Sequence, residues 1–333
     1  GELYMNSLAR VTAQGAYVPN KVLDNYELER MVETNDEWIV QRTGIRERRI
    51  ADEQEQTSDL AYYAVKDLEN KYNVDITDVD FIIVATLTPD FKTPSVASYI
   101  QYKLGIEHAG AIDLNAACAG FTYGLQLANS LISSGMHHKI LVIGAETLSK
   151  ISDYTDRSTC ILFGDGAGAF LVESNKDQSS FIGQTNGSNG GKGKNLYATH
   201  TANQFDNETL NDHGLIVQNG REVYKWAVTT VPREVNRLLD KVKIDINHID
   251  WFVPHSANQR MLESIAHKLH LPKEKLLTSI QYFGNTSSAS IPLAIDSAMK
   301  EQKIKNGDKL LLFGFGGGLA YSGLVVEWNV PTA

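Results

Sequence analysis

The segment Val79-Asp80-Phe81-Ile82-Ile83-Val84 recurs 170 residues later as Ile249-Asp250-Trp251-Phe252-Val253-Pro254. A second segment, Lys139-Ile140-Leu141-Val142-Ile143-Gly144, recurs at the same offset as Lys309-Leu310-Leu311-Leu312-Phe313-Gly314. Two distant pairs in one register indicate that the chain contains an internal duplication. The sequence therefore predicts two similar halves, each built around buried strands.

The apolar runs predict the fold class. They lie at 81–86, 139–144, 167–172, 249–254, 309–315 and 322–328, and their lack of alternation predicts strands buried on both faces. Amphipathic stretches near 58–70, 95–104, 222–241, 256–269 and 288–302 predict helices between them. We therefore predict a duplicated α/β fold with five layers, α/β/α/β/α. Its halves are residues 1–174 and 175–333, and a loop-rich insertion runs from Asn186 to Leu215.

Composition limits the class of protein. The chain has 333 residues, 42% hydrophobic and 21% charged, as is ordinary for a soluble enzyme. No basic run offsets the net charge of −9, which argues against nucleic acid as a partner. No apolar run approaches the roughly 18 residues of a membrane span, so we expect no membrane partner.

The cysteine count and the first residues predict the compartment. Two cysteines do not make a disulfide framework, and the first residues do not resemble a signal peptide. We therefore expect a cytoplasmic protein. Residues 1–4, which precede Met5, are interpreted as a remnant of expression.

Cys118 is the strongest candidate for a reactive residue. It lies in Asn115-Ala116-Ala117-Cys118-Ala119-Gly120-Phe121, between an extended apolar run and a stretch that predicts a buried helix. A thiol in the first turn of a helix faces the positive end of the helix dipole, which favours the thiolate. The alternative is a small buried hydrophobic residue, which is the commoner role of a cysteine.

His255 and Asn285 are candidates to assist this thiol. His255 ends the strand predicted at 249–254, and Ser256 with Gln259 forms a capping-box pattern that predicts a helix directly after it. Strand ends that lead into helices are where open α/β sheets place their chemistry. Asn285 precedes Ser288, which the duplication places opposite Cys118. The alternatives are a structural histidine and an asparagine that only caps a helix.

A glycine cluster, Gly314-Phe315-Gly316-Gly317-Gly318, follows the strand that begins at residue 309. Clustered glycines let backbone N–H groups approach a ligand, as an oxyanion hole requires, although a glycine-rich bend explains the same pattern. Gly164-Asp165-Gly166-Ala167-Gly168 lacks the spacing of a dinucleotide-binding motif. No cluster has metal-ligand spacing, and Cys160 is interpreted as inert core.

Taken together, these residues resemble the β-ketoacyl-acyl-carrier-protein synthase III family. Its members are condensing enzymes of the thiolase superfamily that start bacterial fatty-acid synthesis. Nearly the whole chain takes part in the resemblance. The shared motifs are Asp36-Glu37-Trp38-Ile39-Val40, Arg42-Thr43-Gly44-Ile45, Ala117-Cys118-Ala119-Gly120-Phe121, Pro254-His255-Ser256-Ala257-Asn258, Gly284-Asn285-Thr286-Ser287 and Phe315-Gly316-Gly317-Gly318. Asn285 discriminates most, because elongating relatives carry a second histidine there and thiolases pair the histidine with a second cysteine.

The resemblance implies the reaction. An acyl-CoA primer would acylate Cys118, and malonyl-acyl-carrier protein would then lose carbon dioxide to give an enolate held by His255 and Asn285. The enolate would attack the acyl-enzyme, whose oxyanion would be held by the N–H groups of Cys118 and Gly317. No metal or organic cofactor is implied. The superfamily pairs its N-terminal halves edge to edge, so we expect a homodimer joined through the strand Ala111 to Leu114.

The resemblance also implies binding positions. Trp38 and Arg157 would sandwich the CoA adenine, and Arg42 would lie near the nucleotide phosphate. The expected dock for the acidic carrier protein comprises Lys225, Arg260 and Lys268. The expected acyl pocket comprises Thr93, Leu148, Phe163 and Phe315.

Thr93 departs from the family pattern. Acetyl-preferring relatives tend to carry phenylalanine just before the proline of this loop, where it closes the acyl pocket across the dimer. Because threonine leaves that space open, we expect a branched or medium-length acyl-CoA primer. Alternatively, Phe91 or Lys92 rearranges to fill the space.

Three other functions are compatible with parts of the pattern. The first is a related condensing enzyme or acyltransferase of secondary metabolism with a different primer. A papain-like cysteine protease also has Cys, His and Asn in this order, but its Cys-Gly-Ser-Cys-Trp signature is missing and the chain is duplicated. A catalytically inactive scaffold is disfavoured because Cys118, His255 and Asn285 are all present.

Overall fold

The computed structural model describes residues 6–333, so the interpretation of residues 1–4 lies outside it. The strands are β1 (Ala9–Tyr17), β2 (Lys21–Asp24), β3 (Glu47–Ile50), β4 (Phe81–Ala85), β5 (Gly110–Leu114), β6 (Lys139–Thr147), β7 (Asp165–Ser174), β8 (Phe181–Ser188), β9 (Leu196–Tyr197), β10 (Gln204–Phe205), β11 (Glu208–Thr209), β12 (Val217–Gln218), β13 (Trp251–Pro254), β14 (Lys309–Gly316) and β15 (Ala320–Glu327). The helices are α1 (Asn25–Leu28), α2 (Asp36–Thr43), α3 (Thr57–Tyr72), α4 (Val96–Lys103), α5 (Gly120–Ser133), α6 (Gly220–Val242), α7 (Gln259–Lys268), α8 (Ile280–Phe283) and α9 (Ser290–Lys300).

Two sheets with the same strand order form the body of the molecule. The first has the order β1-β7-β6-β4-β5, and the second has β8-β15-β14-β13. In each sheet the two strands of the repeated segments pair in parallel, β4 with β6 and β13 with β14. In the second sheet, Leu276 makes a parallel bridge to Phe252 of β13. This bridge corresponds to the pairing of β5 with β4 in the first sheet. The predicted duplication is therefore present in the topology.

The helices and sheets form five layers, as predicted. Helices α5 and α9 lie between the sheets, where Phe121 and Ile295 join one apolar cluster with Val142 of β6 and Leu312 of β14. Helices α3 and α4 cover the outer face of the first sheet, and α6 and α7 cover that of the second. Neighbouring residues of a strand point alternately to the inner and the outer face of their sheet, and helices cover both faces. This explains why the strand sequences are continuously apolar.

Two turns join the halves at the centre of the molecule. Each begins with a non-glycine residue in left-handed conformation, Ala117 at φ 47° and Ser287 at φ 53°, and each leads into a central helix. The turn at Cys118 packs on Gly314 of the other half, where a Cβ would lie 2.8 Å from Ala119 Cα. Reciprocally, a Cβ on Gly144 would lie 2.8 Å from the Ser288 carbonyl carbon. Only glycine allows this approach.

The structure corrects two local predictions. The helix after His255 begins at Gln259, because Asn258 caps it by accepting hydrogen bonds from the N–H groups of Arg260 and Met261. Ser256 is unavailable as a cap, since its Oγ accepts the Ser279 N–H. The predicted insertion also contains regular structure: β8 extends to Ser188, and the short pairs β9–β12 and β10–β11 follow it.

Candidate active site

The structure brings Cys118, His255 and Asn285 together at one cavity of about 700 Å³, the outer cavity. Cys118 lies in the first central turn, His255 follows β13, and Asn285 precedes the second central turn. All three are buried, with exposed fractions of 8%, 1% and 7%. Residues that are far apart in sequence therefore meet where the two halves touch.

Cys118 and Asn285 also line a second cavity of about 520 Å³, the inner cavity. Most side chains around it are apolar or aromatic; they include Leu87, Tyr123, Leu148, Phe163, Leu196 and Ile216. The outer cavity carries Arg42, Arg157 and Arg221, and no Asp or Glu lies among the described residues that line it. The thiol thus stands between a cationic channel and a largely apolar pocket.

Burial raises the pKa of Cys118 to about 11. The nearby Ser287 hydroxyl and the N–H groups of Gly317 and Cys118 offset this only in part. The raised pKa contradicts the thiolate expected from the helix dipole, because desolvation disfavours the charged form of the thiol. The same N–H groups lie beside the sulfur, where they can donate to the oxyanion of an acyl group bonded to it.

Gly316 allows the backbone to approach the nucleophile. A Cβ at this position would lie 2.8 Å from Cys118 Sγ, closer than side-chain carbons pack. The glycine cluster of the sequence thus belongs to the site.

His255 is held neutral. Burial lowers its pKa to about 3, and its Nδ1 lies 2.7 Å from Ser290 Oγ. Its ring also packs edge to face on Phe315, with centroids 5.5 Å apart. A neutral imidazole carries a single N–H, so it can donate to a developing oxyanion from one nitrogen only.

The amide of Asn285 has a fixed orientation. Its Oδ1 accepts the Ser287 N–H at 2.9 Å, which leaves the NH₂ group as the free donor. An N–H can pair only with the oxygen end of the amide, so this contact orients the side chain.

Glu146 is a buried carboxylate that the sequence analysis did not identify. Its Oε1 accepts hydrogen bonds from Thr86 Oγ1, Leu87 N–H and Thr88 Oγ1 at 2.8–3.0 Å. Its Oε2 has no partner among the described residues. Burial raises the pKa of this group, and the nearby Ser287 hydroxyl and the three hydrogen bonds to Oε1 offset this in part. Nothing in the sequence around Glu146 distinguishes it from an ordinary strand residue.

The three residues expected to bind CoA lie at the mouth of the outer cavity. The guanidinium carbons of Arg42 and Arg157 lie 4.9 and 5.9 Å from the centroid of the Trp38 ring. Arg221, at the start of α6, adds a third cation that the sequence analysis did not identify.

The residues expected in the acyl pocket are not all together. Leu148 and Phe163 line the inner cavity. Phe315 is buried but lines the outer cavity beside His255, and Thr93 is exposed in the loop before α4. The structure also adds Ile216, which directly follows the segment predicted as an insertion.

The three residues expected to dock the carrier protein lie on the packed pair α6 and α7. Lys225 is exposed on α6. Arg260 donates from Nε to the Gln41 carbonyl at 2.8 Å, and Lys268 donates to the Val228 carbonyl at 2.9 Å. The latter two therefore also tie elements of the protein together.

Within residues 6–333, no group of three or more His, Cys, Asp or Glu side chains could hold a metal ion. In the same range, no helix has the length and apolar character needed to cross a membrane.

Comparison with known proteins gives consistent matches. The family model "3-Oxoacyl-[acyl-carrier-protein (ACP)] synthase III" matches residues 112–190, and the model of that family's C-terminal part matches residues 239–328. Beta-ketoacyl-[acyl-carrier-protein] synthase III 2 of Staphylococcus epidermidis is 63% identical over 98% of this chain and 100% of its own. The Bacillus subtilis protein of the same name is 55% identical over 97% and 100%.

Solved structures agree. The 3-oxoacyl-[acyl-carrier-protein] synthase III of Aquifex aeolicus has a TM-score of 0.90 and 41% identity, covering 96% of this chain and 100% of its own. A priming β-ketosynthase of the R1128 polyketide pathway has a TM-score of 0.91 but only 32% identity, covering 97% of each chain. The chain belongs to the β-ketoacyl-acyl-carrier-protein synthase III family and is a condensing acyltransferase that initiates fatty-acid synthesis. The alternative function, a condensing enzyme or acyltransferase of secondary metabolism with a different primer, is not favoured.

Neutral burial of His255 predicts a pH-dependent loss of stability. Between pH 6.5 and about 3 the unfolded state takes up a proton at this residue and the native state does not, so acidification favours unfolding. Compared with wild type, His255→Asn should lose less stability between pH 7 and pH 5, by about 2 kcal/mol. Urea unfolding at both pH values measures this.

His108→Asn is the matched control, because the side chain of His108 is 94% exposed. His108→Asn should lose as much stability between pH 7 and pH 5 as wild type does. Parallel pH dependence of wild type and His255→Asn would contradict neutral burial.

Proposed function

We propose that Cys118, His255 and Asn285 carry out the decarboxylative condensation of an acyl-CoA primer with malonyl-acyl-carrier protein. The observation that carries the proposal is the position of Cys118, between the outer cavity with its three arginines and the largely apolar inner cavity. An acyl chain can occupy the inner cavity while CoA, and later the carrier's pantetheine arm, occupies the outer one.

In the first half-reaction, Cys118 Sγ attacks the thioester carbonyl and the bond to the CoA sulfur breaks. The thiol proton ends on the departing CoA sulfur. Because burial raises the pKa of the thiol, Cys118 keeps its proton until the thioester binds. The N–H groups of Cys118 and Gly317 stabilise the tetrahedral oxyanion.

In the second half-reaction, the bond from the malonyl methylene carbon to its carboxylate breaks. Carbon dioxide leaves, and the electron pair forms an enolate on the thioester. A neutral His255 N–H and the Asn285 NH₂ group suit this oxygen, since both donate without adding charge to a buried site. The enolate carbon then attacks the acyl group, and the Cys118 sulfur leaves and takes a proton from the solvent. The thioester activates the carbon, so the steps require no metal or organic cofactor.

The charges at the outer cavity suit CoA. Trp38 and Arg157 offer an aromatic face and a guanidinium plane to the adenine, and Arg42 and Arg221 offer guanidinium groups to phosphates. On a chain with a net charge of −9, this cationic cluster is the local exception that a polyanionic substrate needs.

The carrier protein is proposed to dock on α6 and α7 near Lys225, Arg260 and Lys268. The buried stripe of α7, which includes Met261, Leu262 and Ile265, fixes this helix against the second sheet and leaves its basic side chains outward. An acidic carrier would meet these charges close to the mouth of the outer cavity.

The half-reactions predict separable mutant effects. Cys118→Ala should form no acyl-enzyme but still release carbon dioxide from malonyl-acyl-carrier protein. Asn285→Ala and His255→Ala should be acylated normally and condense about 10²–10³-fold more slowly, the usual effect of removing one oxyanion donor. Intact-protein mass spectrometry and labelled carbon dioxide release measure the two halves.

Cys160→Ala is the matched control, because it removes the other buried thiol. It should be acylated like wild type. An acylated Cys118→Ala protein, or Asn285→Ala that cannot be acylated, would contradict the assigned roles.

The primer is proposed to be a branched or medium-length acyl-CoA. The inner cavity of about 520 Å³ exceeds the needs of an acetyl group, and each added methylene it buries contributes about 0.8 kcal/mol. Isobutyryl-CoA should therefore exceed acetyl-CoA in kcat/KM by about 10-fold. Leu148→Phe, which fills the cavity, should reverse the preference.

Thr93→Phe tests the loop contribution separately. Because Thr93 is exposed within one chain, this variant should alter primer choice only if a second copy brings the residue to the pocket. Comparison of acetyl-, isobutyryl- and octanoyl-CoA in all three proteins decides the point. Acetyl-CoA as the best primer of wild type would overturn the proposal.

A cytoplasmic location stays a prediction.

We further propose that the protein forms a homodimer joined through β5. Strand β5 pairs only with β4 among the described strands, and Ile112 at its centre is 40% exposed. An unpaired edge strand with an apolar residue favours pairing with another chain.

Light scattering at micromolar concentration should give about twice the 36.8 kDa of one chain. Ile112→Lys should shift the mass toward the monomer, because the new charge would lie in the interface. Met31→Lys, at an exposed methionine outside the sheet, should not. A monomeric wild type would rule out this assembly.

A further inference from the structure

Ser290, the first residue of α9, contacts the histidine of the site. Its Oγ lies 2.7 Å from His255 Nδ1, and it accepts the Ser256 N–H at 3.0 Å. Ser290 is fully buried and His255 nearly so. Ser290 is not among the candidate residues predicted from the sequence, and the proposed condensation steps do not use it.

The hydrogen bonds around Ser290 determine where its proton goes. One lone pair of Oγ already takes the Ser256 N–H, so its O–H needs an acceptor. Among the described residues, His255 Nδ1 is the only acceptor in hydrogen-bond contact with this hydroxyl. If Nδ1 carried the proton instead, the buried O–H would be left unpaired, which costs free energy.

We propose that Ser290 is a positioning residue that keeps the proton of His255 on Nε2, so that the ring offers an N–H to the substrate oxygen. Nδ1 accepts from Ser290, and Nε2, on the opposite side of the ring, is left to donate. The inference rests on the role proposed for His255. The Ser287 carbonyl also lies near the ring and, in the Nε2–H form, can accept from it until substrate arrives.

A helix that starts at this place in the fold does not require a hydroxyl. The residue at the corresponding position of the other half is Gly120, which starts α5 just as Ser290 starts α9. Ser290 is not the cap of its helix either, since Ala289 occupies that position without a side-chain hydrogen bond. A serine here is therefore explained by what it touches rather than by the helix it begins.

Two further serines hold Ser290 in place. Ser279 donates from Oγ to the Ser290 carbonyl at 3.0 Å, and Ser256 Oγ accepts the Ser279 N–H at the same distance. All three serines are buried. The backbone of Ser290 is thus held in place beside the imidazole.

The test reads the tautomer directly. In protein labelled with ¹⁵N-histidine, the unprotonated ring nitrogen resonates far downfield of the protonated one, and His255→Gln identifies the signals of His255. Wild type should show an unprotonated Nδ1, and Ser290→Ala should move the proton wholly or partly onto Nδ1. Ser290→Thr keeps the hydroxyl and should retain the wild-type signals.

Kinetics of the same variants provide the second measurement. Ser290→Ala should be acylated at the wild-type rate within about 3-fold and condense about 10²-fold more slowly, as for loss of one oxyanion donor. Ser290→Thr should restore condensation. Ser288→Ala, a neighbouring buried hydroxyl that donates to the Ala85 carbonyl, is the matched control and should change neither signal nor rate.

Several outcomes would overturn the proposal. A proton on Nδ1 in wild type would do so, as would an unchanged tautomer or full condensation activity in Ser290→Ala. An equal loss in both half-reactions that Ser290→Thr does not restore would indicate a merely structural role. If the tautomer behaves as expected but His255→Ala condenses normally, the role of His255 fails while the assignment of its tautomer stands.

Discussion

The close contact between the two central turns is the constraint on which the rest of the structure depends. Each turn bends through a left-handed residue, Ala117 or Ser287, and packs on a glycine of the opposite half. Gly314 and Gly144 leave no room for a side chain there. Because each half supports the turn of the other, neither can place its catalytic residue alone.

Burial at this junction sets the protonation states of the site. It raises the pKa of Cys118 and lowers that of His255, so both are neutral at rest. A charged pair would bind an incoming thioester no better and would be costly to bury. Neutral donors fixed by their neighbours can stabilise an oxyanion that appears only during reaction, which is where hydrogen bonds contribute most to catalysis.

The two halves contribute different residues to the site. The first half carries Cys118 at its turn, and the second carries Asn285 and Ser290 around its turn, with His255 nearby at the end of β13. Arginines gather on the outer side of the junction and apolar side chains on the inner side. The junction of the two halves thus has one cavity lined by arginines and one lined largely by apolar side chains.

The sequence by itself determined the duplication, the five layers and the three candidate site residues, because buried strands and strand-to-helix turns leave patterns that are local in the chain. Cys118, His255 and Asn285 could be chosen because each lies in such a turn or at a strand end. The tertiary structure alone decided the rest. Glu146 and Ser290 have ordinary local surroundings and acquire their positions only by contact with distant residues. The start of α7 differed because Ser256 bonds to Ser279, 23 residues away, rather than to its own helix. The expected thiolate was wrong for the same reason: helix position is local, whereas desolvation depends on everything packed around the sulfur.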